Sequence, residues 1–372
     1  MKSKSFILFS GTAFEYFEFS IFLFYSFVIS EHYFNSSGYS LPLIFVFLNF
    51  IGKFIGGTYI ASFIDKFGSL KIYKITMFIT AASTFLILLL PEYDKIGIFS
   101  GILFIFLRFI QVASASADAS SAIILSRENF ENKAYSSSLI SASFIFGCGI
   151  ANVVSNLVNI HLFKYVIIVS SLILFFFRFI LVKFDLKNGV NSFKAEKREW
   201  SIRNIYDIFK VFLIMMPSLL VQFELFNFNS IHIGLNFTLV ILYSLFAILF
   251  SLFNKNYLMN IKIGYFLVAI LTFGKILINI NIDLLKILLV IPYGLFISSG
   301  FAIILDNIDK YKAGMIMTMG AAIANSVTLF LLQNAAFKYE YYIVLFSLIG
   351  IITINYIGKN YVQNNKEKEL RI

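Results

Sequence analysis

The sequence predicts an all-α integral membrane protein of about twelve transmembrane helices in two six-helix bundles, and three observations lead there. The first is composition: 372 residues, 59% hydrophobic and only 13% charged, with a mean hydropathy of +0.85, lie outside the range of soluble domains. The second is run length. Most apolar runs are about 18 to 25 residues long, enough to cross a hydrocarbon core of about 30 Å as helices. The third is that stretches such as YVIIVSSLILFFFRFILV do not alternate, which excludes the apolar and polar dyads of transmembrane β-strands.

Length and polarity place the spans at 6–30, 41–63, 72–91, 97–125, 135–159, 163–183, 205–227, 236–253, 261–280, 284–305, 313–335 and 339–358. Span 1 opens behind two lysines like a signal peptide. Its apolar region is too long for one, lacks a small-residue cleavage site and carries two acids, so it is expected to stay as the first helix. The longest polar interval, KFDLKNGVNSFKAEKREWSIRN, divides the spans six and six. The expected organisation is an N-terminal bundle at 1–183, a cytoplasmic linker at 184–204, a C-terminal bundle at 205–358 and a cytoplasmic tail at 359–372. That tail, KNYVQNNKEKELRI, has no heptad run, so no coiled coil is expected in it.

Charge sets the orientation. With the N-terminus in the cytoplasm, about 21 Lys and Arg fall inside against about four outside, the positive-inside asymmetry. Both termini are therefore expected on the cytoplasmic side of a bacterial cytoplasmic membrane. The net charge of +10 belongs to loops facing anionic lipid. No basic stripe interleaved with aromatics is present, so nucleic acid is not an expected partner. Cys148 stands alone in span 5, where no intramolecular disulfide can form and helix packing is its expected role. There is no P-loop, metal-ligand cluster or soluble catalytic domain. DNIDKYK at 306–312 is the one faint acid-rich motif at a loop edge. No cofactor, metal or enzymatic activity is expected, and any work done must draw on a gradient.

Ionisable residues inside spans are costly in hydrocarbon and are functional candidates by default. Span 1 carries Glu15 and Glu18, span 2 Lys53, and span 4 Arg108 and Asp118. In the second half Glu224 lies in span 7 and Lys275 in span 9, a pair that can meet across that bundle. Lys210 and Arg178 are close enough to a boundary to snorkel. Glu15 and Glu18 share a helix face at i,i+3 and lie about 13 and 18 Å in from Phe6. Arg108, on an antiparallel span, lies about 15 Å in from Ile98, so a carboxylate and a guanidinium stand at one depth. A static buried ion pair has the same spacing.

Three motifs extend this reading. GTAFEYFEF resembles the helix 1 signature of the metabolite:proton symporters of the major facilitator superfamily, with Glu15 at its Glu position and Glu18 at its Asp position. KFIGGTYIASFIDKFGSLK resembles the Arg-Pro-x-Gly-Gly motif and the loop between helices 2 and 3, matched by Lys53, Gly56, Gly57, Asp65, Lys66, Gly68 and Lys71. RFIQVASASADASSA resembles the helix 4 motif, matched by Arg108 and Gln111, with Asp118 at its Glu position. The resemblance covers roughly residues 10 to 150. Ala61 replaces a loop glycine, Ser69 an arginine, and Val112, Ser116 and Ala117 replace helix 4 glycines. Between spans 8 and 9, NKNYLMNIK lacks the acid of the repeated loop.

What the resemblance implies is a secondary transporter that works by alternating access between two bundles. It implies proton-coupled symport of a small zwitterionic osmolyte, of the proline or betaine kind, or of an organic anion, with a monomer in the bilayer. Glu15, Glu18, Arg108, Lys53 and Gln111 would serve proton coupling and substrate contact. Asp65, Lys66, Gly68, Lys71 and Asp118 would form a cytoplasmic gate, Asp118 lying near the inner surface by its depth of about 30 Å along span 4. Glu18 is favoured over Glu15 as the titrating group. Burial favours a protonated carboxyl and a nearby arginine an ionised one, so moving the arginine loads and unloads a proton. The alternatives are an antiporter or efflux carrier and a divergent membrane sensor that no longer transports.

Overall fold

The computed structural model describes residues 2–35, 48, 51–60, 63–130, 132–158, 162–183, 202–225, 233–253, 257–278, 282–307, 316, 319–321, 323–324, 327–328, 331 and 339–369. Helices α1 (Lys2–Phe24) and α2 (Ser26–Phe34) form the first span. They run on as one rod through Tyr25, whose N–H donates to Ile21 O and whose carbonyl accepts from Ile29 N–H. Residues 51–55 are helical and pass into a π-helical turn, Gly56–Ile60. Then come α3 (Ile64–Phe67), α4 (Ser69–Leu89), α5 (Tyr93–Ile96), α6 (Ile98–Asn129), α7 (Lys133–Leu157) and α8 (Phe163–Lys183). The later part holds α9 (Ile202–Leu225), α10 (Ile233–Phe253), α11 (Tyr257–Ile278), α12 (Ile282–Leu288), α13 (Val290–Asn307) and α14 (Tyr339–Glu369).

Every expected span except 313–335 coincides with helix. That span, the first part of span 2, and residues 184–201 of the linker lie largely or wholly outside the described residues. Six of the described helices are long and apolar enough to cross a membrane by themselves. Two boundaries differ from expectation. Helix α6 continues past span 4 to Asn129, and α14 continues through the tail to Glu369. In both, polar residues that read as loop add helical turns beyond the apolar stretch, because outside the hydrocarbon a helix loses nothing by being polar.

Hydrocarbon offers no partner to a bare carbonyl, so a proline inside a span needs help from a neighbouring helix. Pro217 lies inside α9 and leaves Leu213 O without its helical donor, and Tyr265 of α11 donates its hydroxyl to the next carbonyl, Ile214 O. Tyr265 belongs to a buried aromatic knot: its ring lies 5.1 Å from Phe296, and Tyr293 lies 4.8 Å from Phe296 and 5.0 Å from Tyr243. Tyr243 in turn donates to Lys286 O at 2.7 Å.

The early and late helices meet where α7 packs on α10. Gly149 faces Val240 so closely that a Cβ there would lie 2.2 Å from Val240 Cγ2, and Ser244 Oγ donates to Ala142 O at 3.4 Å. Helix α1 packs chiefly on α7 through Gly147, where a Cβ would lie 2.1 Å from Ala13 O. Its apolar side, Ala13, Phe14 and Phe17, lines a cleft of about 470 Å³ shared with α7 and α8. By helical rotation Glu15 and Glu18 then point the other way, towards α4 and α6.

Candidate functional site

Arg108 and Gln111 stand one turn apart on α6, so both reach the same side. Arg108 Nη1 donates to Gln111 Oε1 at 2.5 Å. Gln111 Nε2 donates to Thr84 Oγ1 at 2.6 Å and to Glu18 Oε1 at 3.5 Å. The amide can hold only this way round, because a guanidinium has no acceptor and must face the amide oxygen. Gln111 is thus an adaptor between a cation on α6 and an acid on α1. The guanidinium also lies 4.5 Å over the Phe22 ring. Glu18, Gln111 and Arg108 are 0%, 1% and 3% exposed, so the whole bridge is buried and its members depend on one another for compensation.

A second acidic contact lies beside it. Glu15 and Asp118 are 1% and 0% exposed, and each is the other's strongest charged neighbour. Thr76 Oγ1 donates to Asp118 Oδ1 at 3.0 Å, and the Tyr73 hydroxyl lies 3.4 Å from Thr12 Oγ1. Both Glu15 oxygens, Asp118 Oδ2 and Glu18 Oε2 have no hydrogen-bond partner among the described residues. Equal depth with Arg108 therefore selects Glu18 for the guanidinium and leaves Glu15 to an acid.

Asp118 is fully buried on α6 beside Glu15, about 16 Å short of the helix end at Asn129. Its seven-residue spacing from Gln111 is the signal that was available: two helical turns put both on one face of α6.

Lys53 is half-buried on the helix of residues 51–55, within electrostatic reach of Arg108 and Cys148, and its carbonyl accepts from Ser116 Oγ at 3.0 Å. Cys148 accepts from Ser20 Oγ at 3.1 Å, which places it in the packing between α1 and α7.

At the turn into α4, Gly68 takes φ +87°, a left-handed conformation that glycine adopts without strain. Lys71 Nζ lies 4.9 Å over the Phe67 ring. The side chains of Asp65 and Lys66 lie outside the described residues. Ser69, at the place of the resembling loop's arginine, donates to Glu128 Oε2 at 2.5 Å and so ties α4 to the end of α6. Glu128 escaped the sequence reading because it sits in the polar break RENFEN.

The second half also departs from expectation. Lys275 pairs with Glu340 at 2.5 Å, joining the end of α11 to the start of α14, and the Glu224 side chain lies outside the described residues. Lys286 is fully buried on α12, two residues inside span 10, and the sequence reading did not single it out. On the first half's far side, Glu92 receives Lys164 Nζ at 2.8 Å and His32 Nε2 at 3.0 Å. The bond from Lys164, with His32 beside it, holds the Glu92 carboxyl below the usual carboxylate range and clasps α2, the loop before α6, and α8 together.

No protein-family model matches the chain. It is 28% identical over 159 residues to the glycine betaine/proline/ectoine/pipecolic acid transporter OusA of Dickeya dadantii (strain 3937), and equally to the proline/betaine transporter of Escherichia coli (strain K12). Each alignment covers 40% of this chain and 32% of the relative. Identity to the citrate-proton symporter of Klebsiella pneumoniae is 35% over 113 residues, 29% of this chain and 26% of that one. The chain thus spans about a third of the length of the curated relatives it matches.

Solved structures extend the likeness over nearly all of it. The major facilitator superfamily proton:xylose symporter XylE superposes with a TM-score of 0.67 at 14% identity, covering 95% of this chain and 94% of XylE. The human organic anion transporter MFSD10 superposes with a TM-score of 0.67 at 11% identity, covering 95% and 98%. The chain has the fold of the major facilitator superfamily, and in sequence it resembles that superfamily's metabolite:proton symporters.

Proposed function

We propose that the chain is a secondary active transporter that carries a small zwitterionic osmolyte or an organic anion together with protons, by alternating access across a bacterial cytoplasmic membrane. The observation that carries this reading is the buried bridge from Glu18 through Gln111 to Arg108. A buried ion pair contributes little net stability in place of apolar packing, but losing one member is costly. A ligand bringing its own carboxylate to Arg108, or its own cation to Glu18, can replace one partner as it separates them, which an uncharged sugar cannot. Betaine, proline and citrate, in the names of the relatives, are of that charged class. The test is uptake into proteoliposomes under an imposed inward proton gradient, with proline, glycine betaine, citrate and xylose as probes. Accumulation of one of the first three, collapsed by a protonophore, supports the reading. Transport of xylose alone overturns the ligand class, proton-driven export identifies an antiporter, and inertness towards all four overturns the proposal in favour of a sensor.

The orientation belongs to the same reading. Both termini and the 184–204 linker, between bundles at 1–183 and 205–358, lie in the cytoplasm, supported by the roughly fivefold excess of inner Lys and Arg. A reporter fused after Lys359 should show cytoplasmic activity. Periplasmic activity there would break the even number of crossings.

Asp65, with Lys66, Gly68 and Lys71, forms the cytoplasmic gate of this reading. Asp65→Asn should slow transport by roughly tenfold, about 1.4 kcal/mol on the conformational barrier, and leave substrate affinity unchanged. Parental transport kinetics in the variant would remove the gate role.

A further inference from the structure

We infer that Glu15 and Asp118 hold one proton between their carboxyls, a proton-binding site of α1 and α6 separate from the bridge between Glu18 and Arg108. Charge balance is the first argument. Three acids, Glu15, Glu18 and Asp118, are buried beside one buried cation, Arg108, and the half-buried Lys53. Both cations stand on the Glu18 side: Arg108 acts on Glu18, and Lys53 neighbours Arg108 and Cys148. Among the described residues no cation hydrogen-bonds either acid, Asp118 Oδ1 accepting from Thr76. Two ionised carboxylates so placed would repel each other without water or a counter-charge, so one of them carries a proton.

Hydrogen bonding is the second argument, and it is independent of the first. Both oxygens of Glu15 and Oδ2 of Asp118 are buried and without a partner among the described residues. A protonated carboxyl on one, donating to the other, satisfies a donor and an acceptor at a stroke. Thr76 already donates to Asp118 Oδ1, as expected of an acid that accepts on one oxygen and shares the proton on the other.

On α4, Thr76, Thr80 and Thr84 recur every four residues and so line one face between the acid pair and the Glu18 bridge. Thr76 bonds Asp118 and Thr84 accepts from Gln111, while Thr80 between them is buried with its hydroxyl unpartnered among the described residues. The other titratable or charged groups facing the pair are Glu18 and Tyr16 of α1, Tyr73 of α4 and Cys148 of α7, with Arg108 and Lys53 beyond Glu18. No group of three or more potential metal ligands gathers among the described residues.

The use of this proton in transport rests on the function proposed above; its presence does not. Infrared spectroscopy of the purified full chain in lipid nanodiscs at neutral pH reads it directly. The parent and Glu18→Gln should both show the carbonyl stretch of a protonated carboxylic acid, shifting in deuterium oxide, and Glu15→Gln/Asp118→Asn should lose it. Asp118→Asn alone, which keeps the side-chain shape, should shift the band, because Glu15 stays buried and protonated but loses the carboxylate it donates to, and an unshifted band there overturns the assignment even if the double variant fails to fold. A band that persists in the double variant, vanishes in Glu18→Gln, or is removed by replacing choline chloride with sodium chloride overturns the assignment. The last result would identify a sodium site instead.

Discussion

Arg108→Ala is expected to destabilise the protein by about 3 to 5 kcal/mol, the cost of leaving a buried carboxylate without its compensating charge. The reason is local. Glu18 is fully buried, and beyond Gln111 its compensation comes from the Arg108 guanidinium. Glu18→Gln in the Arg108→Ala background should recover most of the stability, since a neutral amide no longer demands a cation, but transport should stay abolished. The two readouts are thermal unfolding in detergent and uptake into proteoliposomes, and together they form a double-mutant cycle. Arg108→Lys should recover only part of the loss, because an ammonium neither stacks flat on Phe22 nor offers a fork to Gln111. Unchanged stability in Arg108→Ala, or no recovery in the double variant, would remove the bridge from the account.

Much of this arrangement was legible in the chain, for a physical reason. Hydropathy sums over some twenty residues, so spans announce themselves locally, and the rise of 1.5 Å per residue converts sequence position into depth. Depth alone brought Arg108 to the level of the two glutamates. It did not say which glutamate, because that depends on the rotation of α1 against α6. Nor did it give the length of α6: SREN reads as loop by polarity, yet the helix continues through it to Asn129. Tertiary bonds were the least legible. The carbonyl of Ile214 receives the hydroxyl of a tyrosine fifty-one residues away, and no local pattern in the sequence marks that bond. The preference for Glu18 as the titrating acid also weakens, since Glu18 has a cation in reach and Glu15 faces an acid.

The close crossing of residues 51–60 over α6 sets the site's shape, and Gly56→Ala is expected to disturb it more than any other single methyl added at a glycine described here. A Cβ at Gly56 would lie 2.0 Å from Ala113 O, a backbone atom that cannot swing aside. One turn earlier Gly52 meets the Val112 side chain, so the two glycines form a smooth stripe against which α6 lies. That stripe accommodates Val112, where the resembling motif has a glycine: bulk on α6 meets its absence opposite. Ala113 is two residues from Gln111 and five from both Arg108 and Asp118, so a displacement of α6 here moves every member of the site. Overpacking of this kind costs about 1 to 3 kcal/mol, and Gly56→Ala should lower both the melting temperature and, on the proposed function, uptake. Gly300→Ala is the control. Its Cβ would meet nothing closer than Ile261 Cδ1 at 3.7 Å, and a helical alanine gains propensity over glycine. If Gly56→Ala melts no lower than Gly300→Ala, helix α6 is not held by this contact, and the positions of Gln111, Arg108 and Asp118 must be fixed from elsewhere.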